Sequence, residues 1–475
     1  MVKSKSRRRS SKLKSKSRRR KISPKRRSLK RRSIKRRSPK RKSRSPRRKS
    51  PKRKSPRRKS PRRKSPRRKS PRRKSPRRKS PRRKSPRRKS PRRKSPRRKF
   101  TKTSKFPDLP KNLVTWVMNG NLDKMPDILA WINNPNNNIH DICKEAQEYI
   151  FELKQINTNL NLKIISLGFD PISKLKEIPG NPKKRYEIMT KEMPKKGRLS
   201  LDMMYRTCGT QINLDYYSEE DFIKKFKLCC YLVPLSTTLF ANSPIVEKKD
   251  SNYYSYRTKV WQETARGGLP IEFLENMDFE KYAKFIMSFP ILFFQKKNNY
   301  LDVNCKNFVD FMNGRLDEIN NELPDENDLS NHLSTIFTEN RLKQYIEIRS
   351  IDTCDWDCLC NAPAFYAGLL YGNLDESLEI ISRWNKKNLL NTYIDAPKKG
   401  LRTELEGKNI GEWSKLFLNL SKKGLEKRNQ LNKSKKNETI YLNYLNQILN
   451  SNQTNAELML SKFKEDKDLN YLYEN

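Results

Sequence analysis

Histidine is scarce in this chain, and the first 100 residues hold no acidic residue at all. With only His140 and His332 in 475 residues, a histidine-rich zinc centre is excluded. No apolar stretch reaches the roughly 18 residues that a membrane span needs. The longest, Phe285 to Phe294, is interrupted by Ser288 and Pro290. The opening residues are charged with no apolar stretch behind them, which argues against a secretory signal. Neither a G-x-x-x-x-G-K-[ST] phosphate loop nor a G-x-G-x-x-G turn occurs. Eight cysteines (Cys143, Cys208, Cys229, Cys230, Cys305, Cys354, Cys358 and Cys360) without such a signal point to a reducing, intracellular setting, cytoplasmic for a soluble body. The C-x₃-C-x-C run at Cys354, Cys358 and Cys360 lacks a matching second cluster, so structural thiols are its more ordinary reading.

What is present divides in two. The formal net charge of +60 is carried almost wholly by residues 1–100, with 58 Lys and Arg. The remainder has 52 basic and 50 acidic side chains, together with every Trp, Tyr and Cys. From Ser45 the chain repeats Ser-Pro-Arg-Arg-Lys, once as Ser-Pro-Lys-Arg-Lys, in eleven copies up to Ser95. Nothing in the repeat can be buried and its charges repel, so a disordered tail over 1–100 is expected. Its natural partner is a polyanion such as nucleic acid, bound through counterion release. The repeat resembles Ser-Pro-basic units of histone and protamine tails, and equally the Arg/Ser arms of splicing factors. Both suit a nuclear or virion setting. The first serines, Ser45, Ser50, Ser55 and Ser60, are phosphorylation candidates; phosphorylating all eleven would add roughly −16 to −22 charges and leave the tail cationic. A solubilising or localising tag is the other reading.

Residues 101–138 read as a linker and irregular lead-in, and 432–475 as a C-terminal helical segment. Ile142, Ala146, Tyr149, Ile150 and Leu153 recur at helical spacing. Lys163 to Phe169 reads as β-rich. In Thr207–Asp215, alternation places Cys208, Thr210, Ile212 and Leu214 on one face and Gln211, Asn213 and Asp215 on the other. In Arg341–Arg349, Leu342, Ile346 and Ile348 share a face opposite Arg341, Lys343, Tyr345, Glu347 and Arg349. Both runs predict strands of an antiparallel sheet with one packed and one polar face. The polar face either meets water or lines a cleft in which oxygens hold Mg²⁺ with a nucleotide and arginines hold carboxylate or phosphate.

The motifs Met203–Asp215 (MMYRTCGTQINLD), Leu239–Pro244 (LFANSP), Tyr256–Arg257, Asn331–Phe337 (NHLSTIF), Arg341–Arg349 (RLKQYIEIR), Pro363–Phe365 and Gly368–Tyr371 are similar, in order and spacing, to the plant and proteobacterial class of glutamate–cysteine ligase. The resemblance covers a body domain over 139–431. It implies an α+β fold, a curved antiparallel sheet flanked by helices in a funnel like that of glutamine synthetase. It also implies an ATP-dependent ligase of glutathione biosynthesis, with Mg²⁺, that joins the γ-carboxylate of L-glutamate to the amine of L-cysteine through an acyl phosphate. By position, Arg185 and Arg257 would grip glutamate and Trp356 would wall its pocket. Gln211 and Asn213 would face the nucleotide, Gln211 and Glu347 the metal, and Glu347 and Arg349 the reacting groups. Cys143 and Cys360 match a redox-sensitive pair of plant members.

The match also has gaps. The family's E-x-E strand and EPGG-x-x-E-x-S segment, which supply acidic metal ligands, are not found, and Asn112–Asn121 is only a short echo of the family's start. Leu292 stands where a pocket tyrosine is expected, and Lys296 where an arginine is. The alternative is therefore a catalytically inactive ligase-fold protein whose basic tail binds or packages nucleic acid.

Overall fold

The computed structural model describes residues 136–473, apart from 297–298, 304–305 and the side chain of residue 357. The repeat tail with Ser45, Ser50, Ser55 and Ser60, the Asn112–Asn121 echo and Cys305 lie outside the described residues.

The first helix, α1 (Ile139–Leu160), contains the predicted periodic run. Asn138 caps it by accepting from the Asp141 amide, and Asn161 ends it in the left-handed conformation at φ 51°. The run Lys163–Phe169 is not a strand. Lys163 and Ile164 are exposed, Ile165 and Ser166 half-buried, and only Phe169 makes a bridge, to Thr207. With no partner edge along most of its length, the β-prone composition has nothing to pair with.

Helices α2 (Lys184–Glu192) and α3 (Ser200–Arg206) lead into strand β1 (Gly209–Leu214). Then come α4 (Glu219–Tyr231), capped by Ser218 with three acids in its first turn, and the fully buried α5 (Val233–Leu239). Helix α6 (Tyr256–Gln262) starts on the cap Ser255. Further on, β2 (Asn340–Leu342) and β3 (Ile346–Asp352) form a hairpin. The single strand expected over Arg341–Arg349 thus folds back on itself through residues 343–345. Its faces survive the turn, because Arg341 pairs across to Glu347 and Leu342 to Ile346.

The sheet runs β1-β3-β2 and is antiparallel throughout. Three strands are too narrow to close a funnel on their own, so the broad curved wall expected from the resemblance is not present among the described residues. The other ladders there are three antiparallel and one parallel pair of two or three residues each. The mixed α+β character holds. Between β1 and β3 the pairing steps from Ile212 opposite Ile348 to Thr210 opposite Ile351, a bulge that places Arg349 and Ser350 in the widened stretch. Such bulges bend a strand and re-aim its side chains.

The apolar face of this sheet, with Ile212, Leu214, Ile346 and Ile348, is buried in the main core beside Phe222 and Phe226 of α4 and Leu235 of α5. Leu442, Leu445, Ile448 and Leu449, from the helical stretch after residue 437, join the same core. Two disulfides are formed. Cys143 of α1 is bonded to Cys360, after α7 (Trp356–Leu359), and Cys354 to Cys358 across the start of α7. Cys143 and Cys360 are the pair matched by resemblance to a redox-sensitive one, whereas Cys354 and Cys358 read as structural thiols from the sequence; in each pair the fold sets the Cα atoms 5.8 Å apart.

Ile348 is fully buried in the middle of the sheet. Ile348→Ala is expected to cost about 2–5 kcal/mol, read as a lowered urea midpoint. An unchanged midpoint would contradict the placement of this face in the core.

Candidate active site

The polar face of the sheet opens into a hollow of about 220 Å³. Gln211 comes from β1, Arg349 from β3, Arg257 from the first turn of α6 and Arg185 from the start of α2. Apolar side chains close the rest, among them Met189, Met203, Trp261 and Phe337. Pockets for drug-sized ligands span roughly 300–1,000 Å³. This hollow suits an amino acid rather than a whole nucleotide.

Three guanidinium groups converge here. Arg257 is only 1% exposed. It lies over the Trp261 ring at 4.6 Å and donates from Nη2 to the Arg349 carbonyl at 2.7 Å. Arg349 stacks on the same indole at 5.1 Å. Arg185 is partly buried over the Phe293 ring at 5.2 Å and reaches Ser334 Oγ at 3.3 Å. Gly209 makes this packing possible, since a Cβ there would lie 2.5 Å from an Arg257 nitrogen. Several buried donors, Nε of Arg185, Nε and Nη1 of Arg257 and Nε of Arg349, make no hydrogen bond within the protein. Three guanidinium groups bordering a cavity of this size give it the chemistry to take an anion.

Behind Gln211 and Arg349, and bonded to both, lies Glu347, 3% exposed. Its Oε2 accepts from Arg341 Nε at 2.7 Å and Arg349 Nη1 at 2.8 Å, and Oε1 from Lys343 at 3.4 Å. With its amide nitrogen turned toward the acid, Gln211 donates to Oε1 at 3.1 Å and accepts from Arg349 at 3.2 Å. Burial pushes the Glu347 pKa up, but Arg349, Arg341 and Lys343 outweigh it and hold it down to about 2. Burial lowers the Arg349 pKa to about 10, aided by Arg341 and opposed by Glu347, so the guanidinium stays charged at neutral pH.

Of the residues expected at the site, Arg185, Gln211, Arg257 and Arg349 border one hollow, with Glu347 bonded to two of them. Asn213 lies two residues along the same face, opposite Glu347 in register, exposed and off the hollow's rim. Trp356 does not border the hollow. It begins α7 beyond the Cys354 turn and packs, partly buried, against the main core. Leu292 is buried beside Phe293 in a smaller cluster, and Lys296 is ion-paired with Glu322 on the surface. Sequence reading missed Trp261, whose only signal was its place one turn after Arg257. It also missed the role of Arg341, treated as one more wet-face cation, although it is buried against Glu347 and three backbone carbonyls.

Magnesium does not fit these residues by themselves. Both Glu347 oxygens are occupied by cations or by Gln211, and among the described residues no group of three or more His, Cys, Asp or Glu could hold a metal ion.

Because the folded-state pKa of Glu347 lies below its unfolded value, its contribution is full above about pH 4.5 and lost toward about pH 2. Glu347→Gln should lower stability by about 3–5 kcal/mol near neutrality by leaving its cations uncompensated. In urea titrations that gap should shrink as pH falls through this window. A gap that widens toward acid would refute the assignment.

A model of glutamate-cysteine ligase family 2 matches residues 132–474. The chloroplastic glutamate–cysteine ligase of Nicotiana tabacum is 37% identical over 334 residues, covering 69% of this chain and 63% of the relative. That of Solanum lycopersicum is 38% identical over 336 residues, again 69% and 63%. Ligase B of Oryza sativa subsp. japonica is 37% identical over 337 residues, 70% of this chain and 66% of the relative. The chain thus spans less than two thirds of the length of these relatives. It belongs to glutamate-cysteine ligase family 2.

Proposed function

We propose that the body of this chain is a ligase domain that joins the γ-carboxylate of L-glutamate to the amine of L-cysteine at the expense of ATP. The observation that carries this reading is the convergence of Arg185, Arg257 and Arg349 on one amino-acid-sized hollow. A dicarboxylic amino acid offers two anionic groups to these three cations, and bidentate guanidinium pairing would fix its orientation. In the reaction, the γ-carboxylate takes the terminal phosphoryl group of ATP, releasing ADP. The amine of cysteine then attacks the acyl carbon, the C–O bond to phosphate breaks, and the amine loses a proton. Arg349, held by Glu347, supplies positive charge where negative charge builds on the acyl phosphate, preorganised and buried. Family membership implies magnesium, whose carboxylate ligands would have to come from beyond the described residues.

That shortfall of metal ligands favours a second reading, in which the ligase fold has lost turnover and the chain works through its cationic tail on nucleic acid. Among the described residues no helix is long and apolar enough to cross a membrane.

Phosphate release by the full chain that needs ATP, Mg²⁺, glutamate and cysteine together is the expected result. Arg185→Ala, at a partly exposed position, should raise the KM for glutamate about tenfold to a hundredfold, the value of a charge-assisted hydrogen bond. No release above a glutamate-free control would sink the enzyme reading. Duplex binding by the full chain that collapses as salt rises, and vanishes on removal of residues 1–100, is the result expected for the tail.

A further inference from the structure

A carboxylate behind the hollow is left unused by the reading above. Asp352, at the end of β3, is 1% exposed. Its Oδ2 accepts from Ser243 Oγ at 2.7 Å and the Asn242 amide at 2.9 Å, and its Oδ1 from Ser255 Oγ at 3.0 Å. All three partners can serve as donors and both oxygens as acceptors; burial raises the Asp352 pKa above the usual carboxylate range, while Arg257 and these hydrogen bonds pull it down. The fourth neighbour is Arg257, whose Nη1 lies 3.8 Å from Oδ1.

These contacts gather the segments that seat Arg257. Ser255 caps α6, two residues before Arg257. Ser243 Oγ also accepts from the Arg257 backbone amide at 3.1 Å. Gly168 closes the far side, where a Cβ would lie 2.5 Å from the Asp352 carboxyl carbon. Arg257 and Arg349, two like charges, lean on one indole, so something must hold Arg257 in place against their repulsion. Glu339 is the other buried acid near Arg257 and attracts it from farther off, but its Oε1 is bonded to Tyr393 at 2.7 Å, and the ion pair of Arg257 is with Asp352.

We infer that Asp352 is a positioning residue: its buried carboxylate fixes the Arg257 guanidinium in the orientation that receives a ligand carboxylate, without touching the ligand. This rests on the reading of the hollow as a glutamate site.

The test is Asp352→Asn in the full chain, with L-glutamate binding read by calorimetry and both KM values read by phosphate release. The expected result is a glutamate Kd and KM raised about tenfold or more, with the KM for cysteine within about twofold of wild type. Ser243→Ala keeps the charge but removes one hydrogen bond to it, and should raise the glutamate Kd by about threefold. A merely structural role would move both KM values together or lower Tm alone, and either outcome overturns the inference. So does a folded Asp352→Asn variant with wild-type glutamate affinity. If that variant does not fold, Ser243→Ala carries the test, and an unchanged glutamate Kd there overturns it. A wild-type chain that binds no glutamate overturns the ligand reading itself, and this inference with it.

Discussion

Glu347 is one negative charge placed among several positive ones in a buried sheet. Taking a carboxylate out of water is costly unless partners replace the lost solvation. Here Arg341 and Arg349 lie within 2.8 Å of one oxygen, while Lys343 and Gln211 engage the other. The hairpin makes this possible, because the turn at 343–345 brings Arg341 directly across from Glu347. The same contact ties β2 to β3 and fixes the direction of Arg349. The bulge beside it leaves Arg349 facing the hollow rather than the core.

The surplus of positive charge at the hollow follows from this arrangement. Glu347 is consumed in holding Arg341 and Arg349, and Asp352 and Glu339 are buried behind Arg257. Arg185, Arg257 and Arg349 are left to border the hollow, which gives it a cationic lining. An apolar floor of Met189, Met203, Trp261 and Phe337 lowers the local polarity and strengthens each of these interactions.

Much of this was legible in the sequence where a single period governed it. Alternation gave the correct faces over Gln211–Leu214, where Ile212 and Leu214 are buried and Gln211 and Asn213 exposed, but not for Cys208, which is exposed just before the strand begins. The faces of Arg341–Arg349 were also right, but the hairpin was not seen. Its turn residues, Lys343, Gln344 and Tyr345, carry no Gly, Pro or Asn to mark it. Arg185 and Arg257 could be placed by resemblance, whereas their convergence depends on helices whose docking no local pattern encodes. Trp356 went the other way. Its motif neighbours placed it at the pocket, while its packing takes it to the main core. Asp352 was invisible because its partners, Asn242, Ser243 and Ser255, come from segments about a hundred residues away.

The most direct check is a crystal structure of the full chain with L-glutamate. The two carboxylates should lie within hydrogen-bonding distance of Arg185 and Arg257, over the Trp261 side of the hollow. Glutamate bound elsewhere, or a hollow in which Arg257 has turned away from the ligand, would contradict the account.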